Sequence, residues 1–540
     1  METRREFLKH LGQGSLVTLC LSTGCVKSLF HPNRKPNVVL IVCDDLNDYV
    51  TGMGGHPQSM TPHLARLAQT GVAFKRAYSN NPVCAPSRAS FLTGIYPHTS
   101  KNLFWDKWYE NPILKNSKTI MEHFRDNGYH VAGSGKLMHH HKKDVWTEFE
   151  HGHDYGPFVF DGKNKVAHPS VPEPFRSIGY VDGSFGPLSD VPFGPDTTDM
   201  KGWIYGKWDE LKKFRYNNEN DRDPTPDEIN ADWAEEKIQE FAGRENGQPF
   251  FLGVGFLRPH TPLHVPKRYF DQFPLKSLEM PVIKSNDAED CHFEDVFNAN
   301  QKGLRYFRLL MESYPDMESG IKAFTQAYLA SVAAVDDCIG KVIDAVDKSP
   351  FKENTIIVVT SDHGWNMGEK DYLFKNALWE ESTRVPFIIR APGVAQPEGV
   401  AEHPISLIDL YPTLVDLCGL KGDTRKNEQG APLDGFSVRP FLEDPKSENW
   451  EGPDAALTMV HADEEGVQKL SPEEYDDPAF QHWSVRTRRW RYILYNNGSE
   501  ELYDHDNDAY EWINLSDDPR YAKEKADLKA KLFYRIGMQD

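Results

Sequence analysis

Residues 37–45 read NVVLIVCDD, in which six consecutive apolar side chains are followed by two adjacent acids. A short apolar run of this kind is typical of a strand that is buried on both faces of a parallel sheet. Ligands in such sheets bind beyond the carboxyl ends of the strands, where Asp44 and Asp45 are expected to lie. Neighbouring carboxylates repel each other unless a cation is close, so the stretch favours a cation site over a solvated Asx turn.

Three further apolar segments predict buried strands with polar groups just beyond them. These segments are residues 129–134, 249–256 and 355–360. The side chains that follow them are, in chain order, Lys136 and His139, then His260, then Asp362 and His363. Since four such placements are hard to explain as accidents, we expect these groups to meet at one edge of the sheet. Residues 384–389 predict another strand, which Pro386 would place at a sheet edge.

Residues 82–94, PVCAPSRASFLTG, predict a short helix that begins near Cys84. Pro86 suits the first turn of a helix and Gly94 suits the position just past its end. Free N–H groups and the helix dipole favour negative charge at the start of the helix, and Arg88 adds a permanent positive charge. These residues alone leave open whether Cys84 is a reactive, anion-stabilised group or an ordinary buried thiol.

The composition is that of a globular protein. The 540 residues are 39% hydrophobic and 12% aromatic, with a formal net charge of −20. No basic stripe offsets that charge, which argues against a nucleic-acid partner. An anionic substrate would therefore need local positive charge to overcome the overall field of the protein.

The N-terminus resembles a twin-arginine export signal, with Arg4 and Arg5 before a modest apolar run. Cys25 resembles a lipoprotein acceptor, which would provide a membrane tether through a lipidated cysteine. We therefore expect an exported protein, periplasmic or at the cell surface. The remaining cysteines are Cys43, Cys84, Cys291, Cys338 and Cys418. This odd number in an exported protein means that at least one is unpaired or chemically changed.

The chain divides into a signal over residues 1–25, a large domain over residues 36–425 and a C-terminal α+β subdomain over residues 435–540, with a polar, Gly-rich boundary between the last two. The predicted fold is α/β, with a large mixed, mostly parallel sheet sandwiched by helices. Residues 145–230 are rich in Gly, Pro and Asp, and they predict long loops that line or cover a cleft.

The motifs of the large domain resemble those of the type I sulfatases, in the alkaline phosphatase superfamily. The matching residues are Cys84-Ala85-Pro86-Ser87-Arg88 with Thr93-Gly94, Asp44-Asp45, Gly135-Lys136, Asp362-His363-Gly364, Ser406 to Thr413, and Glu501-Leu502-Tyr503-Asp504. The resemblance runs from about residue 37 to the C-terminus. The spacing of Lys136 and His139, the segment Arg258-Pro259-His260, and Trp365 with Lys375 are most similar to the iduronate-2-sulfatase branch.

The resemblance implies a sulfatase mechanism. In that family a separate maturation enzyme oxidises the signature cysteine, here Cys84, to formylglycine, and Arg88 would help to stabilise its ionised hydrate. A Ca²⁺ ion, or alternatively Mg²⁺, would be held by Asp44, Asp45, Asp362 and the modified Cys84. His363 stands where the family often has Asn, so it is either a ligand or a contact of the nucleophile. The groups that would neutralise the sulfate and protonate the leaving alcohol are Lys136, Lys375, His139 and His260.

The implied substrate is a sulfated saccharide. Trp365, Trp105, Asp106 and Trp108 are candidate sugar-facing residues, since Trp can stack on a sugar ring, although core packing would explain each tryptophan as well. Two other functions remain open. One is a phosphodiesterase or phosphonate monoester hydrolase of the same superfamily, and the other is a non-catalytic protein that binds sulfated glycans.

Overall fold

A nine-stranded sheet forms the centre of the protein. The computed structural model describes residues 34–191, 201–206, 211–245, 247–462 and 470–538. The predicted export signal and Cys25 lie outside these residues. In spatial order the strands, numbered along the chain, are β15 (Gly399–Ala401), β2 (Val72–Tyr78), β14 (Arg384–Arg390), β13 (Thr355–Ser361), β1 (Asn37–Asp44), β11 (Phe250–Pro259), β3 (His130–Gly135) and β4 (Glu148–Phe149), with β16 (Ile405–Ser406) paired to β2.

The four predicted apolar strands lie side by side in the order β13, β1, β11, β3, and all of them are parallel. Val38 pairs with both Ile356 and Phe251, and Phe251 pairs with Val131. Every residue of β1 is buried, as the apolar run predicts. The carboxyl ends of the four strands therefore meet at one edge, and the predicted fold class is confirmed.

The strand β14 differs from its prediction. It lies inside the sheet, antiparallel to both β13 and β2, and not at an edge. The pairing with β2 shifts register between Val385 and Phe387, so Pro386 sits at an irregularity where it interrupts no regular ladder. A proline is tolerated inside a sheet at such a bulge.

Helices cover both faces of the sheet. Val39, Ile41 and Cys43 of β1 belong to one core cluster, whereas the alternate residues Val38 and Leu40 belong to another. The helices are α1 (Pro62–Gln69), α2 (Cys84–Thr93), α3 (Pro97–Ser100), α4 (Ile120–Asp126), α5 (Pro226–Ala242), α6 (Lys267–Phe270), α7 (Phe293–Val296), α8 (Lys302–Ser313), α9 (Met317–Lys348), α10 (Glu380–Thr383), α11 (Leu410–Cys418), α12 (Arg439–Glu443), α13 (Pro472–Tyr475) and α14 (Ala522–Ile536). Within the described ranges, none of these helices is both long and apolar enough to cross a membrane.

A second sheet lies near the C-terminus. It is an antiparallel meander of β17 (Ala455–Val460), β18 (His482–Thr487), β19 (Trp490–Leu494) and β20 (Glu500–Asp504). Residues 145–230 contain the short strands β5 (Phe158–Phe160), β6 (Lys165–Val166), β7 (Phe185–Pro187), β8 (Gly202–Ile204), β9 (Tyr216–Asn218) and β10 (Asp221–Arg222), and β7 pairs with β12 (Leu263–Val265). Residues from Lys35 onward form one compact unit, and the division of that unit near residues 425–435 stays a prediction.

Candidate active site

Cys84 begins helix α2, as the sequence predicts. Val83 precedes it in an extended conformation, and Gly94 ends the helix in the left-handed conformation with φ 71°. Cys84 is 1% exposed. Its Sγ lies 3.3 Å from Asp44 Oδ1 and 3.2 Å from both His363 Nε2 and Lys375 Nζ. The start of α2 therefore meets the carboxyl ends of β1 and β13.

Three carboxylates surround this point. Asp44 ends β1, and Asp45 follows in the left-handed conformation with φ 64°. The backbone N–H of Asp45 donates to Asp362 Oδ1 at 3.3 Å, and the hydroxyl of Tyr328 on α9 donates to the Asp45 carbonyl at 2.6 Å. A non-glycine residue in this conformation is strained and persists only where its surroundings hold it. The turn after β1 is therefore held by the end of the neighbouring strand β13 and by helix α9.

Two ammonium groups face these carboxylates. Lys136 Nζ contacts Asp44 Oδ2, and Lys375 Nζ donates to Asp45 Oδ1 at 2.8 Å. Burial lowers the pKa of both lysines, but the surrounding charges together outweigh it and raise the pKa of each, with Asp44 the largest of these charges at Lys136 and Asp45 the largest at Lys375. Both lysines are therefore charged at neutral pH, and they provide the local positive charge that an anionic substrate needs.

The turn that delivers Lys136 requires a glycine. Gly135 has φ 79°, and a Cβ on it would lie 1.9 Å from the carbonyl oxygen of Gly255. The N–H of Lys136 donates to that same oxygen at 3.0 Å. Any larger residue at position 135 would push β3 away from β11, so the Gly135-Lys136 pair is explained by local geometry.

Arg88 is fully buried, but its donors are not directed at Cys84. Its Nε donates to Asp362 Oδ2 at 2.8 Å. The terminal nitrogens donate to the carbonyls of Cys43, Lys136 and Leu137. Arg88 therefore orients Asp362 and ties three strand ends together, and its action on an ionised hydrate at position 84 stays a prediction.

Cys84 is a neutral thiol in this environment. Burial raises its pKa, and the charge of Asp44 raises it further, which Lys136 and Lys375 only partly offset. Of the two alternatives that the sequence leaves open for the unmodified residue, the structure favours the buried neutral thiol, because the loss of hydration and the nearby carboxylate outweigh the helix dipole. All five cysteines beyond the export signal are free.

The carboxylate cluster fits a hard cation. Burial, together with Asp44 and Asp362, raises the pKa of Asp45 to about 8 despite the pairing with Lys375. Among the described residues, Asp45 Oδ2 is a buried oxygen without a hydrogen-bond partner. Two groups of potential ligands converge here, one of Asp44, Cys84, Asp362 and His363, the other of Asp44, Asp45, Cys84 and His260. Crowded carboxylates with an orphaned oxygen are the donor set that Ca²⁺ or Mg²⁺ prefers.

A third group of potential ligands is explained by ion pairing. Glu380, His505 and Glu511 lie close together, but Glu380 pairs with Arg486 and Arg491, and Glu511 pairs with Arg491. These carboxylates already have cationic partners, so we assign no metal to this group.

His363 and His260 are neutral and share one tautomer. Nδ1 of His363 faces the Gly364 carbonyl at 3.1 Å, and Nδ1 of His260 faces the Thr261 carbonyl at 2.5 Å. Because a carbonyl oxygen only accepts, Nδ1 carries the proton and Nε2 is free to accept one. Burial lowers the pKa of His363 to about 4 and that of His260 well below its usual range. His363 Nε2 therefore faces Cys84 as an acceptor.

His139 lies beside the central cluster and outside both convergent groups of ligands. Its ring is 5.1 Å from that of Trp105 and 6.3 Å from that of His153, with which it stacks. Burial and the charge of Lys136 lower its pKa to about 2. Its Nδ1 has no hydrogen-bond partner among the described residues. His139 therefore offers a neutral, unpaired ring nitrogen.

The predicted sugar-facing residues separate into two classes. Trp365 is 2% exposed, and its ring packs 4.9 Å from Phe374 and 6.3 Å from Phe324, so the predicted sugar contact is wrong for Trp365. Trp108 is also buried, and its Nε1 donates to the His140 carbonyl at 2.9 Å. Trp105 is 43% exposed, Asp106 follows it on the surface, and both stay candidates.

Sequence reasoning missed three residues near the lysines. Lys136 Nζ lies over the ring of Tyr155 at 4.9 Å, and that ring contacts His153 and His260. Asn376 follows Lys375 with φ 67°, and both of its side-chain polar atoms are buried without a hydrogen-bond partner among the described residues. No local pattern marks Tyr155 or His153 in their Gly- and Pro-rich loop, whereas the proximity of Asn376 to Lys375 is a weak signal.

Comparisons of the sequence with known proteins identify the family. A family model described as Sulfatase matches residues 36–420, and one described as N-sulphoglucosamine sulphohydrolase, C-terminal, matches residues 368–536. A protein named Sulfatase from Formosa agariphila is 32% identical, over 92% of this chain and 86% of its own length. Iduronate 2-sulfatase from Mus musculus is 27% identical, over 74% of this chain and 71% of its own length.

Solved structures share the fold. A 2-O GAG sulfatase superposes with a TM-score of 0.62 at 22% identity, covering 93% of both chains. A phosphonate monoester hydrolase from Silicibacter pomeroyi gives a TM-score of 0.66 at 23% identity, covering 94% of this chain and 96% of its own. At these identities the two structures support the architecture of the large sheet and its helices.

Proposed function

This chain belongs to the sulfatase family and is a sulfuric ester hydrolase, and on that premise we propose that it removes sulfate from sulfated saccharides. The observation that carries the proposal is the pair of buried ammonium groups, Lys136 and Lys375, beside Cys84. A sulfate ester that reached Cys84 would meet positive charge in a site from which water is largely excluded.

The substrate class is proposed from the surroundings of the site. Trp105 is exposed beside His139, which gives a sugar an aromatic surface next to a neutral hydrogen-bonding ring. The 27% identity to an iduronate 2-sulfatase supports a 2-O-sulfated uronate as the first candidate. Export and a lipid tether through Cys25 are part of the same proposal, since a polymeric glycan would be met outside the cytoplasm.

The proposal requires maturation of Cys84 to formylglycine by a separate enzyme, which would supply an oxygen nucleophile in place of the neutral thiol. His363 Nε2, at 3.2 Å from Cys84 Sγ and unprotonated, would accept a proton from a group at this position. Lys136 and Lys375 would donate to the sulfate oxygens. Lys375 is slightly more exposed than Lys136, so we assign to it the proton that the leaving alcohol needs.

The proposed metal ligands are Asp44, Asp45 and Asp362, with His363 adjoining them. A Ca²⁺ or Mg²⁺ ion held there would supply further positive charge next to the sulfate. Arg88 keeps Asp362 oriented toward this position. Tyr328 holds the turn after β1 and thereby keeps Asp45 oriented toward the same position.

Asp45→Asn is expected to weaken Ca²⁺ binding by roughly 10- to 100-fold, because the site loses one charge and Oδ2, an oxygen with no hydrogen-bond partner in the described part of the chain. Isothermal titration calorimetry with Ca²⁺ alone measures this without any turnover. Asp336→Asn is the matched control, since that buried carboxylate accepts from the N–H groups of His63 and Leu64 at the start of α1. Equal affinities for the wild type and Asp45→Asn would remove Asp45 from the ligand set.

The substrate proposal is tested with a panel of 2-O-, 4-O- and 6-O-sulfated saccharides, an aryl sulfate and an aryl phosphodiester. We expect sulfate release from at least one 2-O-sulfated uronate, and faster turnover of the aryl sulfate than of the phosphodiester. Absence of release from every 2-O-sulfated uronate would refute the iduronate-type assignment.

Peptide mass spectrometry of residue 84 distinguishes an aldehyde from an unconverted thiol, and a thiol in the protein from its native host would favour a non-catalytic glycan-binding role.

A further inference from the structure

The loop that carries Lys375 is long and strained. It spans residues 362–383 between β13 and β14 and ends in the short helix α10. Three of its non-glycine residues, Lys370, Asp371 and Asn376, have positive φ angles of 58°, 49° and 67°. Such residues persist only where surrounding structure fixes them. The hydroxyl of Tyr372 donates to the Lys375 carbonyl at 2.7 Å and accepts from Gln301 Nε2 at 2.7 Å, and the N–H of Asn376 donates to the Pro82 carbonyl at 3.1 Å. These bonds hold the loop at Lys375 and on its N-terminal side.

On the C-terminal side of Lys375 the loop is anchored by the C-terminal sheet, and Arg491 on β19 is at the centre of this anchor. Arg491 is fully buried, and its Nη1 donates to the carbonyl of Leu378 in the loop at 2.7 Å. Its Nη2 contacts Glu380 Oε2 and donates to Thr383 Oγ1 at 3.2 Å. One guanidinium thus holds three positions of the loop, which a lysine ammonium, as a single point charge, cannot reproduce.

Two carboxylates of the same region complete the anchor. Glu501 on β20 accepts from Trp379 Nε1 at 3.0 Å, and Glu511 accepts from the N–H of Glu380 at 3.1 Å. Glu511 also pairs with Arg491. Glu501 opens the Glu501-Leu502-Tyr503-Asp504 motif, to which the proposed chemistry gives no role. Every residue from Leu378 to Glu380 is therefore bound by the C-terminal sheet or the segment after it.

We propose that Arg491, together with Glu501 and Glu511, is a positioning residue that sets Lys375 Nζ against the group at position 84. The proposal rests on the sulfatase function and on the role of Lys375 proposed above. Lys375 is three residues from Leu378, so a shift of the Leu378 carbonyl moves the ammonium group through a short stretch of strained backbone. The C-terminal sheet thereby acts on catalysis without touching the reacting atoms.

The test uses the full-length mature enzyme carrying Arg491→Lys. This substitution keeps the positive charge opposite Glu380 and Glu511 but removes the planar guanidinium, whose separate N–H groups hold three positions of the loop. We expect kcat for an aryl sulfate to fall roughly 10- to 100-fold, with a smaller change in KM, because Lys375 is displaced and not removed. In a Lys375→Met background, Arg491→Lys should change kcat less than about twofold, since the residue through which it acts is absent.

A second readout follows the position of Lys375 without turnover. Amine acetylation followed by peptide mass spectrometry should label Lys375 faster in Arg491→Lys than in the wild type, whereas labelling of Lys136, which is also buried, stays unchanged. Trp379→Phe removes the bond to Glu501 with little change in volume and should give the same pattern in milder form. Arg489→Lys is the control, because Arg489 lies in the turn just before β19 and pairs with Asp504 and not with the loop.

The results that support the proposal differ from those that overturn it. Selective labelling of Lys375 together with non-additive kcat effects supports the proposal. The proposal is overturned if folded Arg491→Lys has the wild-type kcat, or if the effects of the two substitutions on kcat are additive. It is also overturned if Lys136 and Lys375 are labelled equally, because equal labelling indicates that the whole site has become more accessible. A wild-type enzyme that releases no sulfate from any ester would refute the proposed function instead, while the labelling result would still report on the anchor.

Discussion

Cys84→Ser is expected to lower kcat for sulfate esters by at least about 10⁴-fold while leaving the protein folded. A serine hydroxyl can accept a sulfuryl group from the substrate, but it has no second hydroxyl with which to release it. The surroundings of residue 84, with Lys136 and Lys375 beside it, remain in place in this variant. We therefore expect release of no more than one equivalent of alcohol per enzyme, and a gain in mass of one sulfuryl group on the peptide that contains position 84.

Cys418→Ala is the matched control for this experiment. Cys418 is another buried free thiol, but it lies at the end of α11 and its substitution should leave kcat within about twofold of the wild type. Intact mass and aryl sulfate turnover are measured on the same preparations. Multiple turnovers by Cys84→Ser would contradict the mechanism, because they would require a route of sulfate release that needs no second hydroxyl.

Arg88→Met is expected to lower the free energy of unfolding by about 3–5 kcal/mol, the usual loss when one partner of a buried ion pair is removed. Asp362 and Arg88 are both fully buried, so the carboxylate would be left without its cation. The carbonyls of Cys43, Lys136 and Leu137 would lose their donor in the same step. Urea unfolding followed by fluorescence measures the loss as a lower midpoint at unchanged slope.

A conservative variant and a surface variant are the controls for Arg88→Met. Arg88→Lys keeps the positive charge but loses the several directed N–H donors of the guanidinium, so its urea midpoint should lie between those of the wild type and Arg88→Met. Arg425→Met removes an arginine whose side chain is 41% exposed and pairs with Asp423, and it should leave the urea midpoint unchanged. A wild-type midpoint for Arg88→Met would mean that the central cluster is not held together by this guanidinium.

The apolar periodicity predicts a large part of the fold. The four runs that become β1, β3, β11 and β13 are buried on both faces, so their pattern is unambiguous, and parallel pairing brings their carboxyl ends together. The start of α2 at Cys84 follows from Pro86 and Gly94. The interior position of β14 does not follow, because Pro386 reads as an edge signal until its partner strands and their register shift are known.

Side-chain roles within a motif are less visible in the sequence. Trp365 directly follows the Asp362-His363-Gly364 segment, yet its ring points into the core between Phe324 and Phe374. Arg88 stands one turn after Cys84, yet its donors go to Asp362 and to carbonyls at the ends of β1 and β3. Spacing along the chain brings residues near one another, but the direction of each side chain depends on which partners compete for it.

The sequence by itself determined the parallel sheet, the helix that presents Cys84 and the groups that gather at the strand ends, because burial patterns and helix termini are encoded within a few adjacent residues. The tertiary structure alone decided the neutral state of Cys84, the burial of Trp365 and the anchoring of the Lys375 loop by Arg491. Arg491 and Leu378 are 113 positions apart. The pKa of a thiol and the position of a strained loop depend on desolvation and on contacts over such separations, which no local pattern records.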